Sequence, residues 1–390
     1  MSAAADAERS KVLGYRLSGY DLSQRLPAAR MLEAAGACGV RNTPPGSDAL
    51  SLLARVDGLT PGMLRSALQD RSLMEVEHAP RPPVFPSSQA GILGRCLVPD
   101  LDSLGDVVIG VTPLLMEMDP KMRRTRHMVE EAVRNELDGK GMTKTELAVR
   151  SARRIARQLD DVRREVWAQP FVNTDISKGE AVVRLMSYVL GMNGAVCFSE
   201  HLGHSSPLAL TERWLGHGVE GGDCRELVRR YLRCYGPSTE KLFAERSGLG
   251  VEHASKPWST MEKDMNDIGI GGRTMWHLDE QMELFENADL PQGVRLLPPH
   301  DPCLQQRDRS ILVREPERRR EMWRAVGSPG AVPCDGEIVG TWQSRKKGVN
   351  LDLEVRLHQE LPGDRMEDVV READLMAPLR DVRRVEVILA

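Results

Sequence analysis

The residues best suited to chemistry stand in the run Gly39-Val40-Arg41-Asn42-Thr43-Pro44-Pro45-Gly46-Ser47-Asp48. Asn42 and Thr43 carry side-chain oxygens that can hold a water molecule. Arg41 carries a guanidinium that accepts no hydrogen bond but can grip a phosphate. Three other features invite a chemical reading and then lack support. His201, His204 and His217 have no carboxylate or thiol to complete a recognisable metal set, so no metal is expected. Gly269 to Gly272 is glycine-rich but lacks the lysine and the strand–loop–helix setting of a phosphate loop. Cys38 has no histidine partner in the pattern and reads as a small packing residue rather than a nucleophile.

The elements around the run explain how it is presented. Residues 27–37 are rich in strong helix formers, and two prolines and a glycine then interrupt regular structure. Ser47 or Asp48 is placed to cap a second helix, whose apolar positions 49, 50, 52, 53 and 56 make one stripe. Locally, this pattern leaves an ordinary helix–helix loop open as the reading. Thr60-Pro61 starts another helix with Met63, Leu64, Ala67 and Leu68 on its buried side, and Leu73 to His78 alternates as a strand. The theme of a turn followed by a capped helix returns at Thr143 to Glu146, a capping box, and at Gly236-Pro237-Ser238, where Ser238 is the expected cap. Residues 1–20 are weakly patterned and expected to be partly mobile. After residue 295 prolines, turns and alternating strands take over. Leu351 to Leu357 has strict period two, and Val385 to Val387 reads as a closing strand.

Composition sets the bounds. A chain of 390 residues exceeds one typical core and suggests two to four subdomains. Five Phe, six Trp and five Tyr are too few for extensive base stacking, and a formal charge of −4 excludes indiscriminate coating of nucleic acid. Seven scattered cysteines without paired spacing read as reduced thiols. No signal peptide or membrane-length apolar run is present, so a soluble cytoplasmic protein is expected. Against the acidic total, residues 121–167 hold thirteen Lys or Arg and eight Asp or Glu, a local excess of five. Lys144, Arg150, Arg153 and Arg154 are the candidate phosphate-binding residues there. Arg307 and Arg309 form a second candidate pair, with internal pairing to Asp308 as the rival.

Three motifs tie these features together: Arg229-Arg-Tyr-Leu-Arg-Cys-Tyr-Gly-Pro-Ser-Thr239, then Leu296-Leu-Pro-Pro-His-Asp-Pro-Cys-Leu-Gln-Gln-Arg-Asp-Arg309, and Gly340-Thr-Trp342. On these the chain resembles the AlkZ/YcaQ-type winged-helix DNA glycosylases, which remove bulky alkylated bases and unhook crosslinks. It is most similar to the actinobacterial branch associated with self-resistance to DNA-alkylating antibiotics. The resemblance implies a mostly α fold with β (α+β). Tandem winged-helix motifs are expected over 1–110, 111–222 and 223–294, followed by a β-barrel-like subdomain over 295–390. It also implies a monomer without cofactor or metal, acting on double-stranded DNA that bears alkyl adducts.

In that family a Gln-x-Gln or Gln-x-Asp motif places the hydrolytic water. Counting back from Ala54-Arg55, its outer positions fall on Arg41 and Thr43, with Asn42 between them. This is a departure, because a guanidinium cannot accept from water and repels a cationic sugar. The reading that follows gives Asn42 and Thr43 the water and Arg41 the phosphate. The alternative is a non-catalytic DNA- or adduct-binding protein. If the 121–167 segment meets DNA, replacing Arg150, Arg153 and Arg154 with alanine lowers affinity and flattens its salt dependence in a titration, because fewer counterions are released. Unchanged binding removes the segment from the interface.

Overall fold

Helices dominate the first two thirds of the chain and strands its last quarter, a mixed α+β arrangement. The computed structural model describes residues 3–76, 83–96, 110–119, 122–200, 206–219 and 221–390. Among them no helix is long and apolar enough to cross a membrane. The weakly patterned N-terminus is in fact a helix, Ala3–Gly19, with Val12, Leu13, Tyr15 and Leu17 buried. Its apolar stripe was hard to read because Arg9 and Arg16 share the buried side.

Local signals fixed several helix starts. Thr60 caps Pro61–Gln69 by accepting from the Met63 amide at 3.3 Å, and Thr143 caps Lys144–Ala156 by accepting from Glu146 at 3.2 Å. Two expectations are corrected. The helix Ser47–Leu53 has Gly46 at its N-cap, and Ser47 and Asp48 lie buried inside its first turn. Thr239, not Ser238, caps Glu240–Ser247, because the Ser238 hydroxyl is 2.6 Å from the Tyr231 hydroxyl. The strand expected over 73–78 spans Leu73–Glu75 and pairs with Pro83–Pro86, which also pairs with Val40–Arg41; residues 77 and 78 lie outside the described ones. Gly271 and Gly272 sit at the tip of the hairpin formed by Met265–Ile270 and Arg273–Leu278.

One core is built only from residues between Leu114 and Leu210. Two others join distant parts of the chain. Leu13 and Leu17 pack with Leu232, Phe243, Trp258 and Leu304, while Ala34, Leu50 and Leu52 pack with Trp342, Leu353 and Val369. The last hundred residues therefore complete the core of the first sixty.

The C-terminal sheet has four strands in the order Gly330–Cys334, Glu337–Lys347, Asn350–Leu357, Arg384–Leu389. Leu351, Leu353 and Val355 face the core as their alternation required. The last strand runs parallel to the third and is reached through the helix Gly363–Asp374. Among the described residues no closed barrel forms. The first strand instead makes single bridges from Ala331 to Leu297 and from Cys334 to Val294.

Two buried arginines fasten together segments that lie far apart in the chain. The Arg55 Nη atoms donate to both Asp301 carboxylate oxygens at 2.8 Å, while Nη1 also donates to the Ser51 carbonyl at 2.7 Å and Nε to the Tyr20 carbonyl at 2.9 Å. Arg16 donates to Asp308 at 2.7 Å and to the carbonyls of Gly236 and Pro237 at 3.0 Å. Removing one member of a buried pair leaves an uncompensated charge in a poorly solvating interior. Asp301→Ala is therefore expected to cost about 3–5 kcal/mol in chemical denaturation, and Arg55→Met with Asp301→Leu to recover much of it. An unchanged midpoint for Asp301→Ala would remove the pair's structural role.

Candidate functional site

A cavity of about 220 Å³ opens beside the central run. One wall comes from the segment Gly36 to Arg41, a second from the paired strands through Met74, Val76 and Phe85, and a third from the helix Cys224–Tyr235 through Arg230, Tyr231 and Tyr235. The end of the helix Glu240–Ser247 and residues 305 and 307 close it. Four aromatic residues line it among the described ones: Phe85, Tyr231, Tyr235 and Phe243. Tyr231 and Tyr235 stack with ring centroids 5.3 Å apart, and Phe243 meets Tyr231 edge-on at 5.1 Å. Among the described residues, four arginines (41, 230, 246 and 307) line the cavity against a single carboxylate, Glu245.

The central run is fastened from three sides. The Asn42 amide oxygen accepts from the Gly46 amide at 2.7 Å, the Ser47 amide donates to the Pro44 carbonyl at 3.0 Å, and Arg380 donates to the Pro45 carbonyl at 3.2 Å. Gly46 has φ +85°, a left-handed conformation that favours glycine, and a Cβ there would also push the Arg380 guanidinium aside from 2.9 Å. Asn42 is buried, with its amide nitrogen 3.4 Å from each carboxylate oxygen of Glu75. Thr43 is half-buried beside it, and of the three only Arg41 reaches the cavity wall.

Glu75 was missed by sequence reasoning. Its signal was present, because an acidic residue in the middle of a short apolar strand must be either solvent-facing or buried for a purpose, and here it is 6% exposed.

The other expected residues divide into two groups. Arg307 lines the cavity and donates to the Glu245 carbonyl at 3.0 Å; Arg309 lies over the Trp323 ring at 4.9 Å. The second group shares the helix Lys144–Ala156, outside the cavity lining. Arg150 pairs with Glu146 at 2.8 Å and Arg154 with Glu136 at 2.7 Å, while Arg153 is exposed. The Lys144 ammonium sits 5.4 Å from the Tyr188 ring and 5.6 Å from Phe198.

The cysteines depart from expectation. Cys38, on the cavity wall, is joined to Cys234, and Cys96 to Cys224. Separations of 196 and 128 residues leave no local spacing to read. Cys197, Cys303 and Cys334 are free and buried, and burial pushes the Cys197 and Cys303 thiols up to about 12. Among the described residues no His, Cys, Asp and Glu gather into a metal-binding group; His201 and His204 lie outside them.

In fold the chain is similar to Streptomyces sahachiroi DNA glycosylase AlkZ, with a TM-score of 0.75 at 20% identity, over 98% of this chain and 99% of that one. It belongs to the AlkZ-like DNA glycosylase family, whose model matches residues 34–379. No curated protein matches it in sequence.

Asn42 braces the loop that carries Arg41. Asn42→Ala strips the Gly46 amide of its acceptor and is expected to cost about 1–3 kcal/mol, seen as a lower Tm in scanning calorimetry. An unshifted Tm would show that the loop holds without it.

Proposed function

We propose that this DNA glycosylase hydrolyses the N-glycosidic bond of bulky N7-alkylguanine adducts or crosslinks in double-stranded DNA, as self-resistance to a DNA-alkylating natural product. The observation that supports this reading most is the aromatic-lined cavity directly beside Arg41, because an adduct that is bulky needs room next to the scissile bond. Alkylation at N7 makes the base a good leaving group. The protein then has to place a water and to balance oxocarbenium-like charge with neutral or anionic oxygens.

In this reading the Thr43 hydroxyl and the second lone pair of the Asn42 amide oxygen hold the water. Glu75 orients the Asn42 amide through its contact at 3.4 Å. Arg41 holds the phosphate beside the lesion, which keeps its charge away from the sugar. The three N-terminal units, 1–110, 111–222 and 223–294, serve as winged helices that meet the duplex. Arg153 and its neighbours on Lys144–Ala156 reach the backbone of the second unit's stretch of DNA, and Arg307 and Arg309 reach it nearer the lesion.

The test is release of modified base from N7-alkylated duplex DNA, followed by chromatography. Thr43→Val combined with Asn42→Ala is expected to lower the rate about a hundred- to thousandfold, the usual worth of a lost positioning contact. Arg41→Gln lowers it if Arg41 orients the lesion through a phosphate, and leaves it equal or higher if the arginine is only tolerated. Absence of release by the wild-type chain from every N7-alkylated duplex tried would end this substrate assignment.

A further inference from the structure

The charge of the cavity restricts what can enter it. Among the described residues, a cationic N7-alkylguanine ring would meet four guanidinium groups and one carboxylate, in surroundings where apolar walls weaken screening. The opposite kind of group fits. Arg230 is already engaged, by Glu226 at 2.9 Å and by Gln89 at 2.5 Å. Arg246 is not matched by a carboxylate among the described residues. It donates to the Tyr235 hydroxyl at 2.8 Å, its guanidinium lies 4.9 Å from the Tyr235 ring, and its Nε is buried without a hydrogen-bond partner. Arg307 is tied next to it through the Glu245 carbonyl and forms no ion pair among the described residues. Two guanidiniums without anions therefore flank a pocket walled by Tyr231, Phe243, Met74 and Met192. The volume, about 220 Å³, suits one fused-ring group rather than a drug-sized ligand.

We propose that this cavity binds a planar aromatic group bearing an anionic substituent, with the rings against Tyr231, Phe243 and Met192 and the anion on Arg246 and Arg307. Two sources share that chemistry: the appended, non-base portion of a bulky adduct, or a nucleotide with its phosphate. The first source rests on the substrate assignment above. The binding itself does not, and it is measured without DNA, so the two can fail separately.

The probe is coumarin-3-carboxylate, followed by its fluorescence on titration with the intact protein. Saturable binding is expected, at least tenfold tighter than for the neutral coumarin-3-carboxamide, because a hydrogen bond between a guanidinium and a carboxylate is stronger than one to a neutral amide. Arg246→Met is expected to weaken the carboxylate at least tenfold and the carboxamide less than twofold, with Arg246→Lys retaining part of the affinity. Competition by deoxyguanosine 5′-monophosphate, without competition by deoxyguanosine, assigns the site to a nucleotide. Lack of competition by either assigns it to a small-molecule acid. Equal affinity for carboxylate and carboxamide in the wild-type protein, or no saturable binding, overturns the proposal without reference to any variant.

Discussion

The rest of the structure depends on two guanidiniums that have left water. Arg55 is 2% exposed and its partner Asp301 is fully buried. Charges in that position are tolerable only when every donor and acceptor is met. Arg55 meets them by drawing together the end of the first helix, the helix Ser47–Leu53 and the segment around Asp301. Arg16 does the same for Gly236-Pro237 and Asp308. The cavity lies between the parts so joined. Its described walls come from residues 36–41, 74–76, 83–90, 191–194, 227–235, 243–248 and 305–307, and Arg16 and Arg55 tie down the segments next to three of them, at 51, 236–237 and 301–308.

This places the three sequence motifs in a new light. The runs 229–239 and 296–309 were the strongest marks of kinship, and much of their content is structural. Gly236, Pro237, Asp301, Gln306 and Asp308 all receive hydrogen bonds from Arg16 or Arg55. Tyr231 and Tyr235 build the cavity from the same run. The family was therefore legible, as were helix starts with a threonine cap and the alternating strand Asn350–Leu357, because each depends on neighbours a few residues apart. The first helix was not legible, since buried arginines blur an apolar stripe. Nor were the disulfides or the role of Glu75, which depend on partners brought from elsewhere in the chain. The basic excess over 121–167 was real as composition, yet Arg150 and Arg154 are partly matched by Glu146 and Glu136 on the same surface.

The altered motif at Arg41 also reads differently once its surroundings are known. Counted along the chain, it replaces an acceptor with a cation. In space Arg41 shares a wall with Arg230, Arg246 and Arg307 among the described residues, while Asn42 and Thr43 do not line the cavity. The central run thus has two faces: a cationic one turned to the cavity, and an amide face turned to Gly46 and Glu75.

The unequal span of the cores has a consequence for how the protein is made. The core between Leu114 and Leu210 draws on one continuous stretch, so it can close while the chain is still being translated. The core that holds Leu50 and Leu52 needs Trp342, Leu353 and Val369, and Arg55 needs Asp301, 246 residues later. At about 5–20 residues per second, Arg55 waits roughly 10–50 s for its counterion. The segment around Leu50 and Arg55 is therefore finished later than the core between Leu114 and Leu210, and a nascent chain stalled before residue 301 would present that core closed and the packing around Arg55 still open.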